Sequence, residues 1–196
     1  MKRRLIFATN NQHKLKEIKN ILNDRLELVS LRDLNINENI PESNNSLEEN
    51  ATRKALFVYN KNKIDSFADD TGLEIEALSG EPGVLSARYA GDQCNFEDNI
   101  NKVLKKLRGV KNRKARFRTV ISLIENGHIV NFEGSINGNI INKKRGINGF
   151  GYDPIFQPDG YKQTFAEMTL NEKNKISHRA KAIEKLVNYL FSKNEI

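Results

Sequence analysis

The hydrophobic period changes partway along this chain, and the change restricts the folds open to it. Up to about Asn60, short apolar runs alternate with segments of helical period; from Ala115 the period is two, through Ala115, Phe117, Thr119, Ile121 and Leu123. Asn126-Gly127 supplies a hairpin turn and His128 to Glu133 returns, with another strand expected over Ser135 to Ile141. A chain that begins as α/β and becomes antiparallel predicts one mixed sheet with helices around it.

The first half sets out the units. Arg4 to Thr9 reads as a short buried strand, Asn10-Asn11 breaks it, and Leu15, Ile18 and Leu22 give one face of a helix from about Gln12 to Leu22. Such a strand-loop-helix unit aims loop N–H groups and a helix dipole at a site for an anion, with Lys14 one turn in. The plain alternative is an ordinary α/β connection. A second strand is expected over Leu26 to Leu31, then a polar stretch from Asn35 to Asn45. Ser46 and Glu49 form a capping box before a helix carrying Leu47, Ala51, Ala55 and Val58 to about Asn60.

Phe67 to Gly91 contains the adjacent carboxylates Asp69 and Asp70, which read as the end of a strand presenting charge to a cation. Beyond them Leu73, Ile75 and Ala77 alternate with Glu74 and Glu76 as a half-buried strand, and Gly80 and Gly83 are free to take positive φ in a turn. Asn95 and Asp98 can cap a helix whose apolar set is Phe96, Ile100, Val103, Leu104 and Leu107. Arg145 to Pro154 is glycine-rich, with Phe150 and Tyr152 between glycines and Asp153 after them. A ring there can lie against a planar base, or tuck into the core of a hairpin. The last segment opens with the capping box Thr169 to Glu172. It continues as a helix with the stripe Ile176, Ala180, Ile183, Val187 and Leu190, interrupted near Ser177; Lys173, His178 and Arg179 fall off that stripe.

Length and charge narrow the function classes. With 196 residues and one cysteine, Cys94, the chain fits a single domain, 1–196, or one domain with two lobes, and needs no disulfides. The basic start is followed by too short an apolar run for a signal peptide, and no segment reaches the ~20 apolar residues of a membrane helix. A cytoplasmic protein without a membrane partner is expected. The net charge of +7 and pI near 9.4 suit a polyanion, and the basic run Lys102 to Arg118 leaves two readings. It is either a solvated helix face, turn and strand start, or the contact surface of a nucleic-acid-binding protein.

Five blocks stand in order: Thr9-Asn10-Asn11-Gln12-His13-Lys14; Phe67 to Gly72; Pro82-Gly83 through Ser86-Ala87-Arg88-Tyr89; Phe150-Gly151-Tyr152-Asp153-Pro154; and Glu172-Lys173 through Ser177-His178-Arg179. Together they closely resemble the Ham1-like inosine/xanthosine triphosphate pyrophosphatases, over essentially the whole chain. The resemblance implies an α/β fold with a mixed, elongated central sheet, flanking helices and two lobes around a nucleotide cleft. It implies Mg²⁺-dependent conversion of ITP, dITP and XTP to monophosphate and pyrophosphate, a house-cleaning activity, by a homodimer that takes no nucleic acid. A related pyrophosphatase acting on modified pyrimidine nucleotides is the near alternative.

The resemblance also implies roles. Thr9, Asn10, Asn11, Gln12, His13 and Lys14 would bind the triphosphate, Asp70 would be the catalytic acid/base and metal ligand, and Glu42 a second metal ligand. Thr71, Phe150, Gly151, Tyr152, Asp153, Lys173, His178 and Arg179 would hold substrate, with Asp69 and Lys54 in support. Three family glycines are replaced here by Asn10, Asn44 and Asn148, and positive φ is expected at all three, asparagine being the non-glycine residue that best tolerates it.

Overall fold

In a computed structural model of the chain, the described residues are 3–23, 25–36, 38, 40 and 45–192. The strands are β1 (Arg4–Phe7), β2 (Glu27–Ser30), β3 (Ser66–Ile75), β4 (Pro82–Gly83), β5 (Lys114–Glu125), β6 (His128–Ile140) and β7 (Phe156–Pro158). The helices are α1 (Gln12–Leu22), α2 (Leu47–Asn62), α3 (Phe96–Lys106), α4 (Leu170–Ile176) and α5 (His178–Ser192), with short 3₁₀ turns between. Hydrogen bonding runs in the order β2-β1-β3-β5-β6-β7, and β4 pairs with β3, so the sheet is mixed as expected. The chain divides into two compact units, Met1–Asp70 with Thr119–Gly134 and Arg179–Ile196, and Thr71–Arg118 with Ser135–His178. No helix among the described residues is long and apolar enough to cross a membrane.

In the first unit, β1 runs parallel to β2 and to β3, with Phe7 beside Phe67 in register and their rings stacked at 4.7 Å. The two-residue period of a strand then sorts side chains by face. Leu5, Phe7 and Phe67 join Leu15, Ile18 and Leu22 of α1 and Ile183, Leu186 and Val187 of α5. Ile6, Ala8 and Ala68 join Ala55 and Val58 of α2 on the other. Burial on both faces is why β1 reads as a nearly continuous apolar run. Away from the carboxylates, Arg3 donates to Asp65 and Glu125, and the Tyr189 hydroxyl donates to Glu125 at 3.0 Å.

The second unit has its own core of Leu73, Ile75, Ile100, Val103, Leu107, Phe117, Tyr152, Phe156 and Phe165 among others. Gly72 is needed where it stands: an added Cβ would lie 2.7 Å from the Gly83 carbonyl oxygen, on the β4 strand paired to β3. Gly80 and Gly83 do take positive φ, 89° and 53°. The basic run is engaged locally. Lys106 pairs with Glu81, Arg113 donates to the carbonyls of Leu107, Ile140 and Ile141, and Arg116 and Arg118 meet Glu74.

Several expectations change. The carboxylate pair lies in the middle of a ten-residue strand, not at its end, and β3 stops at Ile75, leaving Ala77 exposed in a 3₁₀ turn. β6 is one 13-residue strand where two were expected, running through Gly134 without a break. Phe96 leaves the buried stripe of α3 and is 38% exposed, while Ile100, Val103 and Leu107 are buried. Asn10 and Asn148 do not have positive φ, which overturns the left-handed explanation at both; Asn44 lies outside the described residues. Asn148 instead donates from its side chain to the Met168 carbonyl at 3.1 Å and from its backbone to Ala166. Those are bonds that extended or right-handed backbone can make.

Candidate functional site

Adjacent residues on a strand point to opposite faces, so Asp69 and Asp70 meet different helices, while the Lys14 ammonium still feels the charge of both. Asp69 shares the face of Phe67 and meets α1 and α5; Asp70 shares the face of Ala68 and meets α2. Asp69 is 1% exposed and holds Lys14 of α1, with Nζ 3.1 Å from Oδ1, and Arg179 of α5, with Nε 3.2 Å from Oδ2. The Arg179 guanidinium, 1% exposed, also donates through Nη1 to Glu17 of α1. Asp70 is 8% exposed and accepts from Lys54 Nζ at 2.9 Å on Oδ1 and from Asn50 Nδ2 at 3.1 Å on Oδ2.

The electrostatics follow from that packing. Burial pushes the Asp69 carboxyl upward, but the charges of Lys14 and Arg179 overcome it and hold the group well below the usual carboxylate range. Burial drives Lys14 the other way, below the ordinary lysine value, against the pull of Asp69 and Asp70. For Arg179, burial is opposed by Glu17 and Asp69, and the guanidinium ends above its ordinary value. Around the two aspartates, Asp69, Asp70 and Glu17 thus face Lys14, Lys54 and Arg179.

The loop ahead of α1 is self-capped. Asn11 Oδ1 accepts from the backbone N–H groups of His13 at 3.0 Å and Lys14 at 3.2 Å, and Thr9 Oγ1 accepts from Asn11 N. Two of the amides expected to cradle an anion are therefore already met by a side-chain oxygen. Asn10, Gln12 and His13 are exposed on this loop, and Thr9 is half-buried.

The second unit presents a different cluster. Asp153, 2% exposed, accepts from Lys173 Nζ at 2.5 Å and from the Phe150 backbone N–H at 2.9 Å, both on Oδ2. Gly149, at φ 74°, makes this turn feasible: a Cβ there would lie 2.0 Å from Asp153 Oδ2. The Lys173 ammonium lies 5.1 Å from the Phe150 ring centroid and 5.3 Å from that of Phe165, a cation–π arrangement. His178 stacks on Phe117 at 4.6 Å. Tyr152 is buried, its hydroxyl donating to the Ser86 carbonyl at 2.9 Å, and burial pushes its pKa up. Gly151 takes φ 59° and Thr71 is half-buried in β3.

Of the sequence-predicted residues, Lys14, Asp69, Asp70, Lys54 and Arg179 come together in the first unit, and Phe150, Asp153 and Lys173 in the second. Glu42 lies outside the described residues. Two expectations need correcting. Lys173, His178 and Arg179 are buried rather than off the stripe: Lys173 and Arg179 stand three residues either side of Ile176, and Arg179 four before Ile183, so both share the apolar face, while His178 packs on Phe117. Tyr152 belongs to the core, leaving Phe150 as the half-buried ring of its loop. Sequence reasoning missed Asn50 and Glu17. Asn50 lies four residues before Lys54, one helical turn apart, and Glu17 three after Lys14, so polar pairs at helical spacing beside an apolar stripe were the available signal.

Mg²⁺ asks for hard oxygen donors, often one or two carboxylates completed by substrate phosphates and waters. Among the described residues no three His, Cys, Asp or Glu side chains gather as a metal cage. Asp70 offers one carboxylate, whose oxygens accept from Lys54 and Asn50, so an ion held there would draw its other oxygen ligands from phosphate and water.

The Ham1 family model matches residues 5–189. A dITP/XTP pyrophosphatase from Flavobacterium johnsoniae is 50% identical over 187 residues, 95% of this chain and 97% of that protein. One from Thermoanaerobacter pseudethanolicus is 49% identical over 197 residues, 98% of each. Among solved structures, the Staphylococcus aureus Ham1 protein superposes with a TM-score of 0.88 at 38% identity, covering 97% of this chain and 100% of that one. With the family model spanning nearly the whole chain, and the paired carboxylates and glycine loop folded as described, this chain belongs to the Ham1 family.

Proposed function

We propose that this chain hydrolyses nucleoside triphosphates bearing noncanonical purines, dITP, XTP and ITP, to the monophosphate and pyrophosphate. The observation that carries the reading is Asp70, held from α2 by Lys54 and Asn50 on the strand where Asp69 holds Lys14. The names and near-full coverage of the relatives support it. The reaction adds water to the α-phosphorus and breaks the α–β anhydride while negative charge grows on the leaving pyrophosphate. Asp70 orients that water and accepts its proton. Lys14 and Lys54 supply positive charge to the phosphates, and Arg179, tied to Glu17 and Asp69, keeps Asp69 aligned on Lys14. Mg²⁺, when bound through Asp70 and with Glu42 as the expected second ligand, would supply Lewis-acid stabilisation of the phosphate oxygens.

Recognition of the base falls to the second unit's cluster. Hypoxanthine and xanthine carry a 6-carbonyl where adenine carries an amino group, so the Lys173 ammonium and loop N–H groups satisfy the former and strand the latter. A stranded buried polar group costs roughly 1–3 kcal/mol, so two give ~10²–10⁴-fold discrimination. The test is pyrophosphate release with Mg²⁺ over ITP, dITP, XTP and ATP, with a metal-free arm. Equal kcat/KM for ITP and ATP would refute the reading. The reading extends to a cytoplasmic homodimer, for which light scattering on purified protein checks the stoichiometry.

A further inference from the structure

Phe96 is an apolar residue of the α3 stripe that the core does not take. Its helical neighbours Ile100, Val103 and Leu107 are 3%, 0% and 0% exposed, whereas Phe96 is 38% exposed. It occupies the first helical position, fixed by Asn95, whose side chain accepts from the N–H groups of Glu97 and Asp98. Helical side chains lean toward the N-terminus, so this ring projects past the start of α3 rather than down onto the core. There it meets Phe150, with centroids 6.1 Å apart and planes tilted by 47°, within the range of aromatic pairs. A second tie joins the same helix end to the segment leading into the glycine loop, Lys144 with Glu97.

The loop around Phe150 explains why such a partner matters. Asp153 fixes the Phe150 backbone through its N–H, but the residue stands between Gly149 and Gly151, both at positive φ, so neither chain neighbour has a side chain to set the ring. The Lys173 ammonium lies 5.1 Å from the ring centroid and Phe96 contributes an aromatic contact. Two partly exposed rings beside a cation make an apolar, π-rich surface suited to a planar heterocycle. We propose that Phe96 is a positioning residue for base recognition, bracing the Phe150 ring against which the purine stacks. The proposal rests on the base-recognition reading above.

Two variants test it. Phe96→Ala should raise KM for XTP and ITP by about 3–10-fold with a much smaller change in kcat, the size expected for losing one aromatic pair. Phe96→Tyr should restore KM. The sequence contains no tryptophan, so Phe96→Trp adds a single indole whose emission should change on titration with IMP and stay unchanged with inorganic triphosphate. Turnover by the wild-type enzyme, with KM unaltered in Phe96→Ala and no response to IMP, would overturn the proposal and leave the proposed function standing. An equal response to base-free triphosphate would overturn it too, since the indole would then report phosphate. An IMP response without wild-type turnover would keep the placement of Phe96 and remove the pyrophosphatase reading.

Discussion

Around Asp69 and Asp70, six charged side chains are set by three helices and one strand; around Asp153, one ammonium–carboxylate pair is wrapped by phenylalanine rings on a glycine loop. The first arrangement draws every charge from a regular element. Its acids are sorted to opposite faces by the strand, so each can meet a different helix. The second depends on local backbone: Gly149 leaves room for the carboxylate to turn back on the Phe150 N–H. Dense charge on rigid elements suits chemistry at phosphate, which needs pre-aligned groups. A loop that presents a ring beside a single cation suits recognition of a flat, weakly charged base.

The sharpest way to break this contrast is to neutralise the acid assigned to the chemistry. Asp70→Asn keeps the shape and the Asn50 and Lys54 neighbours, and should lower kcat by ~10²–10⁴-fold with the thermal transition preserved. Near-normal turnover would move the chemistry elsewhere. Next in size, Arg179→Met leaves Asp69 and Glu17 buried without their shared cation and should cost about 3–5 kcal/mol in urea unfolding. A loss under ~1 kcal/mol, the range of exposed pairs, would mean the cluster is wetter than its burial indicates.

The same cluster has a pH signature. The folded pKa of Asp69 is depressed, so its contribution is complete above the unfolded value of ~3.9 and is lost as pH falls through the folded value. Urea midpoints between about pH 5 and pH 2 should therefore fall more steeply for wild type than for Asp69→Asn. Parallel profiles would contradict the pairing.

In the second unit, Gly149→Ala places a Cβ against the Asp153 carboxylate at a φ of 74° and should destabilise by roughly 1–3 kcal/mol. It should also raise KM for XTP more than it lowers kcat, because the loop rather than the charge cluster is disturbed. A selective loss of kcat would erase the division between the two regions. Smallest of all, Glu97→Gln removes an exposed pair with Lys144, half-exposed on both sides, and should change stability by less than about 1 kcal/mol.

Much of the framework was legible because it is written in local terms. The helix Gln12–Leu22, the caps at Ser46, Asn95 and Thr169, the turn at Asn126-Gly127 and the break at Ser177 are all short-range backbone chemistry. The five blocks supplied candidate site residues through the family resemblance rather than through local backbone chemistry. Glu17 and Asn50 were missed because their meaning depends on what α5 and β3 bring to them. Arg179 was misjudged because its charge was read as solvated although it stands three residues after Ile176 and four before Ile183, and Phe96 because periodicity shows which residues share a face, not whether the core reaches that far. The expected positive φ failed at Asn10 and at Asn148, and at Asn148 hydrogen bonds to the distant carbonyls of Ala166 and Met168 hold the backbone.

By itself the sequence determined the mixed sheet, the order of its elements, the candidate carboxylates and the family resemblance, all of which follow from period, capping and motif. Only the tertiary structure decided which helix each carboxylate meets, that Arg179 is an internal counter-ion, and that Tyr152 is core while Phe150 is presented. Those outcomes depend on which elements pack on which face of the sheet, and two adjacent aspartates become different groups once one faces Lys14 and Arg179 and the other faces Lys54 and Asn50.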